Sequence, residues 1–146
     1  MSHNERVITA RSDQIWDVLS DGWLYPTWVV GASRMREVEG NWPAVGSRLH
    51  HSVGSWPMLV SDHTEVLACE PERLLKLHAR GFPMGAAEVT VTLTPEGPDT
   101  RVVIEEMPTH GPAVLIPKPA VSPLLHWRNT ETLRRLAYIA EHRDDT

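Results

Sequence analysis

Apolar positions recur along this chain with two different periods. Between residues 32 and 107 they alternate. In residues 86–94, Val89, Val91 and Leu93 share one side, while Glu88, Thr90 and Thr92 take the other. In residues 100–107, Arg101 points outward and sends Val102 and Ile104 inward. Lys76 marks the outer side of residues 73–80, leaving Leu75, Leu77 and Ala79 inside; Glu65 does the same for residues 58–68, leaving Thr64, Val66 and Ala68 inside. A period of two is the mark of strands. Residues 33–38 and 47–54 complete a set of six, and the separators are short and rich in Gly, Pro and Asn. Such connections suit hairpins, so the expected sheet is an antiparallel meander covered on one face.

Outside that region the period lengthens. Residues 5–10 (ERVITA) read as an opening strand. Ser12 then offers an N-cap, Asp13 and Asp17 place carboxylates near the positive end of a helix, and Ile15, Trp16, Val18 and Leu19 form the apolar side of a helix over residues 12–20. Residues 21–30 (DGWLYPTWVV), broken by Gly22 and Pro26, predict a short irregular helical turn. The last helix is expected to start at Ser122-Pro123, with Pro in the first helical position, and to run to about residue 142. Successive 100° steps gather Leu125, Leu133, Leu136, Ile139 and Ala140 into one stripe, with Trp127, Glu131, Arg134 and Tyr138 opposite. The stripe should lie lengthwise across the sheet's inner face. Asn129 and Thr132 fall inside it. A buried amide left without a partner costs about 1–3 kcal/mol, so these groups must meet a structural hydrogen bond, a water or a ligand.

Composition changes the picture in three ways. The length suits one domain over residues 1–146, with short tails at residues 1–4 and 143–146. Fourteen basic against nineteen acidic residues give a net charge of −5 without a basic cluster, which argues against nucleic-acid binding. No apolar run is long enough for a transmembrane helix, the first residues lack a signal-peptide core, and Cys69 is the only cysteine. The expected location is the cytoplasm. Six Trp stand against one Phe and two Tyr, and Trp suits both core filling and pocket lining.

The order of elements, a short strand, two small helices, a six-strand meander and a long last helix, is that of the α+β helix-grip fold. The chain resembles the START-like SRPBCC superfamily and, within it, the polyketide cyclase/dehydrase type of bacterial protein. The resemblance rests on SDQIWDVL (12–19), DGWLYPTW (21–28), GSRLHHSVG (46–54), EPERLL (70–75), TRVVIEE (100–106) and RNTETLRRL (128–136). It covers nearly the whole chain and implies a curved sheet of about seven strands around a deep apolar cavity. Its members include ligand carriers, cyclases, dehydratases and co-chaperone-like proteins.

The candidate chemistry is sparse. No nucleophile, phosphate-loop or metal motif occurs, and His50 and His51 should face opposite sides of a strand, so neither metal nor cofactor is expected. Continued alternation points His51, Thr64 and Glu106 inward, with Asp62 a further candidate. A carboxyl in an apolar cavity is harder to ionise and can serve as an acid or base, with a histidine across the cavity as complement. A strand that ends before Glu106 would instead leave it solvated at the rim. Trp28, Trp56 and Met84 are candidate apolar lining near the mouth, with Asn129 and Thr132 as further polar markers. The cyclases that the chain resembles often use a pocket arginine; here Arg48 and Arg80 fall outward and Arg128 lies at the edge of the stripe. Residues 108–123, rich in Pro and apolar at Val114-Leu115-Ile116, read as a lid, a partner surface or a simple return connection, with Trp127 packed beneath.

Three functions fit. The first is binding of a hydrophobic or aromatic small molecule, such as a lipid, quinone or polyketide-like species. The second is a cyclase or dehydratase with Glu106 and His51 as its proton-transfer pair. The third is a protein-interaction module resembling Hsp90-activator domains. Either a monomer or a homodimer is compatible with the outward Trp127.

Overall fold

The computed structural model describes residues 2–30, 32–53, 60–81, 85–110 and 118–142. The elements are β1 (Ser2–Ile8), α1 (Ser12–Leu19), a 3-10 turn (Gly22–Leu24), α2 (Tyr25–Trp28), β2 (Ala32–Val38), β3 (Arg48–Val53), β4 (Val60–Glu70), β5 (Leu74–Gly81), β6 (Gly85–Glu96), β7 (Asp99–His110) and α3 (Lys118–His142). One curved sheet runs β1-β7-β6-β5-β4-β3-β2. Every pairing in it is antiparallel. This is the helix-grip arrangement, in which the first strand pairs with the last and the meander fills the rest.

The alternation expected along the meander holds for most of its length. Leu75, Leu77, Val91, Leu93, Val102 and Ile104 are buried in the core. It fails at Ala68. The register of β4 against β5 shifts between Val66 and Ala68, a bulge that turns the strand by one residue. Cys69, opposite Leu75, therefore packs against the core in place of Ala68.

Four element ends differ from expectation. β1 begins at Ser2 and not at Glu5, because Ser2 and Asn4 pair with the far end of β7, opposite Glu106 and Ile104; the expected N-terminal tail is thus largely strand. Arg11, and not Ser12, is the N-cap of α1. Gln14 Oε1 accepts from the Arg11 N–H at 2.8 Å, while Ser12 Oγ lies 3.3 Å from Thr100 Oγ1. α3 starts at Lys118, four residues before the expected Ser122, and holds Pro123 inside it. The first four N–H groups of a helix have no helical partner, so a proline just beyond them forfeits a single bond. Together with the extension of β7 to His110, this shortens the connection read over residues 108–123; Val114-Leu115-Ile116 lie outside the described residues.

α3 also packs differently. Its backbone comes closest to β1, α1 and α2, while its apolar stripe joins the same core as the inner face of the meander. Leu133, Leu136, Ala137 and Ala140 are buried as the stripe predicts, and Tyr138 faces out. Trp127 is 64% exposed, and most of the connection expected to pack over it lies outside the described residues.

Close approach explains one glycine. A Cβ at Gly22 would sit 2.5 Å from Leu49 Cδ2 and 2.8 Å from Val38 Cγ1. The 3-10 turn is seated directly on β2 and β3, and this brings α2 over the inner face.

Candidate functional site

Polar side chains collect at one end of the interior. β7 continues past Ile104 without a break, so Glu106, in register with Val89 on β6 and Ser2 on β1, points inward. It is 4% exposed, which removes the rim placement. Both carboxylate oxygens accept from Arg128 Nη2, and Oε1 also accepts from Asn129 Nδ2 at 3.1 Å. Arg128 and Asn129 are successive residues of α3, 100° apart around its axis, which lets two donors flank one carboxylate. The Arg128 side chain is 37% exposed against 5% for that of Glu106, so the pair reaches from interior to surface. Removing the guanidinium would leave a buried charge uncompensated.

A second group sits on β3 and β4. His51 lies opposite Asp62 and Thr64 opposite Leu49, which makes His51 and Thr64 diagonal neighbours on the inner face. His51 Nε2 and Thr64 Oγ1 hydrogen-bond at 2.8 Å, and the Tyr25 hydroxyl lies 3.4 Å from the same oxygen. The Tyr25 ring stacks on His51 with centroids 5.6 Å apart and meets the Trp28 ring edge-on at 5.4 Å. Burial raises the Tyr25 phenol above its ordinary 10.0; the Thr64 hydrogen bond and the Arg128 charge lower it, and the Glu106 charge raises it. Tyr25 thus stands between the two groups, bonded to one and within the field of the other.

The two residues expected as a proton-transfer pair fall in separate groups. Glu106 is engaged by Arg128 and Asn129, and His51 by Thr64 and Tyr25. Thr132 is buried, and its oxygen accepts from the Val30 N–H at 3.3 Å, a bond that fastens the end of α2 to α3. Trp28 is fully buried within this end and does not sit at a mouth. Among the described residues its Nε1 has no hydrogen-bond partner. Trp56 and Met84 lie outside the described residues, as does the side chain of Asp62. Arg48 and Arg80 are exposed, Arg48 bonding Glu65 at 2.8 Å. No three His, Cys, Asp or Glu among the described residues are grouped to hold a metal ion.

Two members of the cluster were not among the expected site residues. Arg128 lies at the edge of the helical stripe, but its long side chain reaches back to the carboxylate that Asn129 meets. Tyr25 is hidden in the aromatic run of residues 21–30, whose periodicity assigns no face. The signal for Arg128 was available, since an inward carboxylate opposite an arginine beside an inward amide calls for a pair. For Tyr25 there was none.

Comparison with known proteins bears on the whole chain. Residues 2–141 match the family model described as polyketide cyclase / dehydrase and lipid transport. Protein NE0264 from Nitrosomonas europaea is similar in structure at TM-score 0.76 and 15% identity, covering 99% of this chain and 96% of that one. Protein MLL2253 from Mesorhizobium loti is similar at TM-score 0.68 and 21% identity, with 97% and 96% covered. The di-domain ARO/CYC StfQ from the steffimycin biosynthetic pathway is similar at TM-score 0.72 and 14% identity, with 99% of this chain and 51% of that one covered. At such identities the likeness carries the fold alone. A search of curated protein sequences finds no match. The family match spans strand, meander and final helix alike, and the chain belongs to the polyketide cyclase / dehydrase and lipid transport family.

Proposed function

We propose that the chain binds a hydrophobic small molecule, lipid-, quinone- or polyketide-like, between the N-terminal half of α3, α2 and the inner face of the sheet. One observation carries this reading: the buried polar groups Tyr25, His51, Thr64, Glu106 and Asn129 gather at one end of an otherwise apolar interior. A core built for stability alone gains little from so many desolvated groups in one place. Apolar walls with a few oriented polar groups are the usual make-up of a small-molecule site. The family description, which joins cyclases and dehydrases with lipid transport, supports an apolar ligand.

The first reading is binding or transport without chemistry. A second, a cyclase or dehydratase, is favoured by the hydroxyl–imidazole contact of Thr64 with His51, which can relay a proton, and by the guanidinium of Arg128, whose charge reaches Tyr25. The lone Cys69 agrees with a reducing compartment such as the cytoplasm.

Native mass spectrometry of freshly purified protein, followed by denaturing extraction, tests the binding reading. A co-purifying apolar species supports it and supplies a compound for turnover assays. His51→Gln then separates the two readings: turnover collapses in an enzyme, whereas affinity shifts modestly in a carrier. An empty protein that also refuses a panel of apolar fluorescent probes would contradict both and leave the outer surface, with exposed Trp127 and Tyr138, as the place of interaction.

A further inference from the structure

The binding reading can be carried to one atom of the ligand. An indole N–H is a donor only. Trp28 is 3% exposed, and its indole N–H is buried with no acceptor among the described residues. Leaving such a group without a partner is costly, and native structures seldom do so without a reason. Several other buried polar groups of the interior are satisfied by the fold. Thr100 Oγ1 donates to the Ala10 carbonyl at 2.9 Å, Asn4 Nδ2 reaches the His126 carbonyl and Thr130 on α3, and Thr132 serves Val30. Trp28 stands apart from them, and it stands beside Tyr25 in the proposed site.

The neighbourhood says what kind of acceptor fits. Flat rings bound it: the Trp28 indole lies edge-on to Tyr25, whose ring also stacks on the His51 imidazole. Arg128, the cation whose charge reaches Tyr25, is already committed to Glu106, so a carboxylate or phosphate at Trp28 would draw no free counter-charge from it. A neutral oxygen avoids that cost. Tyr25 can add a second donor, since its hydroxyl makes one long contact at 3.4 Å and Thr64 can satisfy it from either direction.

We propose that Trp28 Nε1 is the recognition donor of the site and that the ligand is a planar apolar molecule whose neutral carbonyl oxygen it binds. This rests on the binding reading above and specifies which chemical feature the site selects.

A matched pair of probes tests it: 2-acetylnaphthalene, which carries a carbonyl oxygen, and 2-isopropylnaphthalene, of closely similar shape, which has none. Wild-type protein should bind the ketone about tenfold more tightly than the hydrocarbon, the worth of one good hydrogen bond in a desolvated site. In Trp28→Phe the ratio of the two affinities should fall to about one, whatever loss of apolar contact the two probes share. Independently of that variant's folding, the Trp28 indole proton of the wild-type protein, assigned through its contacts to Tyr25, should move downfield with the ketone and not with the hydrocarbon. Equal affinity for both probes in the wild type, or a preference that survives in Trp28→Phe, overturns the inference and leaves the binding reading standing. An unmoved indole proton that exchanges magnetisation with a buried water does the same. If neither probe binds wild-type protein, both the inference and the binding reading fail.

Discussion

The two ends of the interior are built on opposite rules. Where Ile8 meets Thr100 across β1 and β7, the inner face carries Val102 and Leu93, α1 adds Ile15 and Val18, and the C-terminal half of α3 contributes Leu136, Ala137 and Ala140. The few polar groups there are tied off by the fold itself, as Thr100 is by the Ala10 carbonyl. At the other end, where Ser2 meets Glu106, β7 and α3 carry a carboxylate and an amide, β3 and β4 add an imidazole and a hydroxyl, and α2 adds a phenol. One end is packed for stability. The other holds an ion pair, a long hydroxyl contact and an indole donor with no acceptor among the described residues. The apolar core and the proposed site thus lie at opposite ends of α3.

That division can be broken from either side, and the largest effect is expected at the apolar end. Leu136→Ala removes a fully buried side chain and should cost about 2–5 kcal/mol in denaturant unfolding. It should leave the relative affinity for the two naphthalene probes unchanged. Arg128→Ala strands the Glu106 carboxylate, but the guanidinium is more than a third exposed and water can partly replace it. The expected loss is about 1–3 kcal/mol. Glu106→Gln should cost less, because the half-exposed guanidinium left behind can rehydrate. Equal losses for the two variants would mean that the pair is not organised as described.

Gly22→Ala tests the seating of α2. Its new Cβ would press on Leu49 and Val38, and the strain should cost about 1–3 kcal/mol, measured by thermal or urea unfolding. Because α2 carries Tyr25 and Trp28, probe affinity should fall along with stability, in contrast to Leu136→Ala.

Tyr25 gives a pH signature. Its folded-state pKa lies above the ordinary 10.0, chiefly through burial, so the folded state holds its proton where the unfolded state releases it. The stabilisation is complete below about pH 10 and is lost as pH rises through the folded-state value. Unfolding measured from pH 8 upward should therefore show a decline above pH 10 that is shallower in Tyr25→Phe. The smallest effect is expected far from the interior. Glu72 holds φ at 64° in the turn that follows Pro71, with the Arg73 N–H donating to the Glu70 carbonyl at 2.9 Å. Glycine accepts that conformation without strain. Glu72→Gly should raise stability by up to about 1 kcal/mol, with no effect on binding.

The apolar end was legible in the sequence because its signals repeat. Val89, Val91 and Leu93 alternate, and Leu133, Leu136 and Ala140 recur with the helix, so each residue supports its neighbour's assignment. Five polar residues of the other end were legible for the same reason: His51, Thr64, Glu106, Asn129 and Thr132 continue patterns set by apolar neighbours. What alternation could not supply was pairing. A bulge at Val66/Ala68 is invisible to a period of two, and it exchanges Ala68 for Cys69. Nor does periodicity say that Glu106 meets Arg128 and not His51, since that depends on how far the sheet curls and where α3 lies on it. Tyr25 and Trp28 sit on a one-turn helix, too short for any period to assign a face.

The most direct test of this division is an amide chemical-shift map of the protein titrated with 2-acetylnaphthalene. Perturbations confined to Val30, His51, Thr64, Glu106 and Asn129, with Val18, Val102 and Ala140 unmoved, are what the account predicts. Perturbations spread along the outer face of α3 around Trp127 and Tyr138, or none at all, would contradict it.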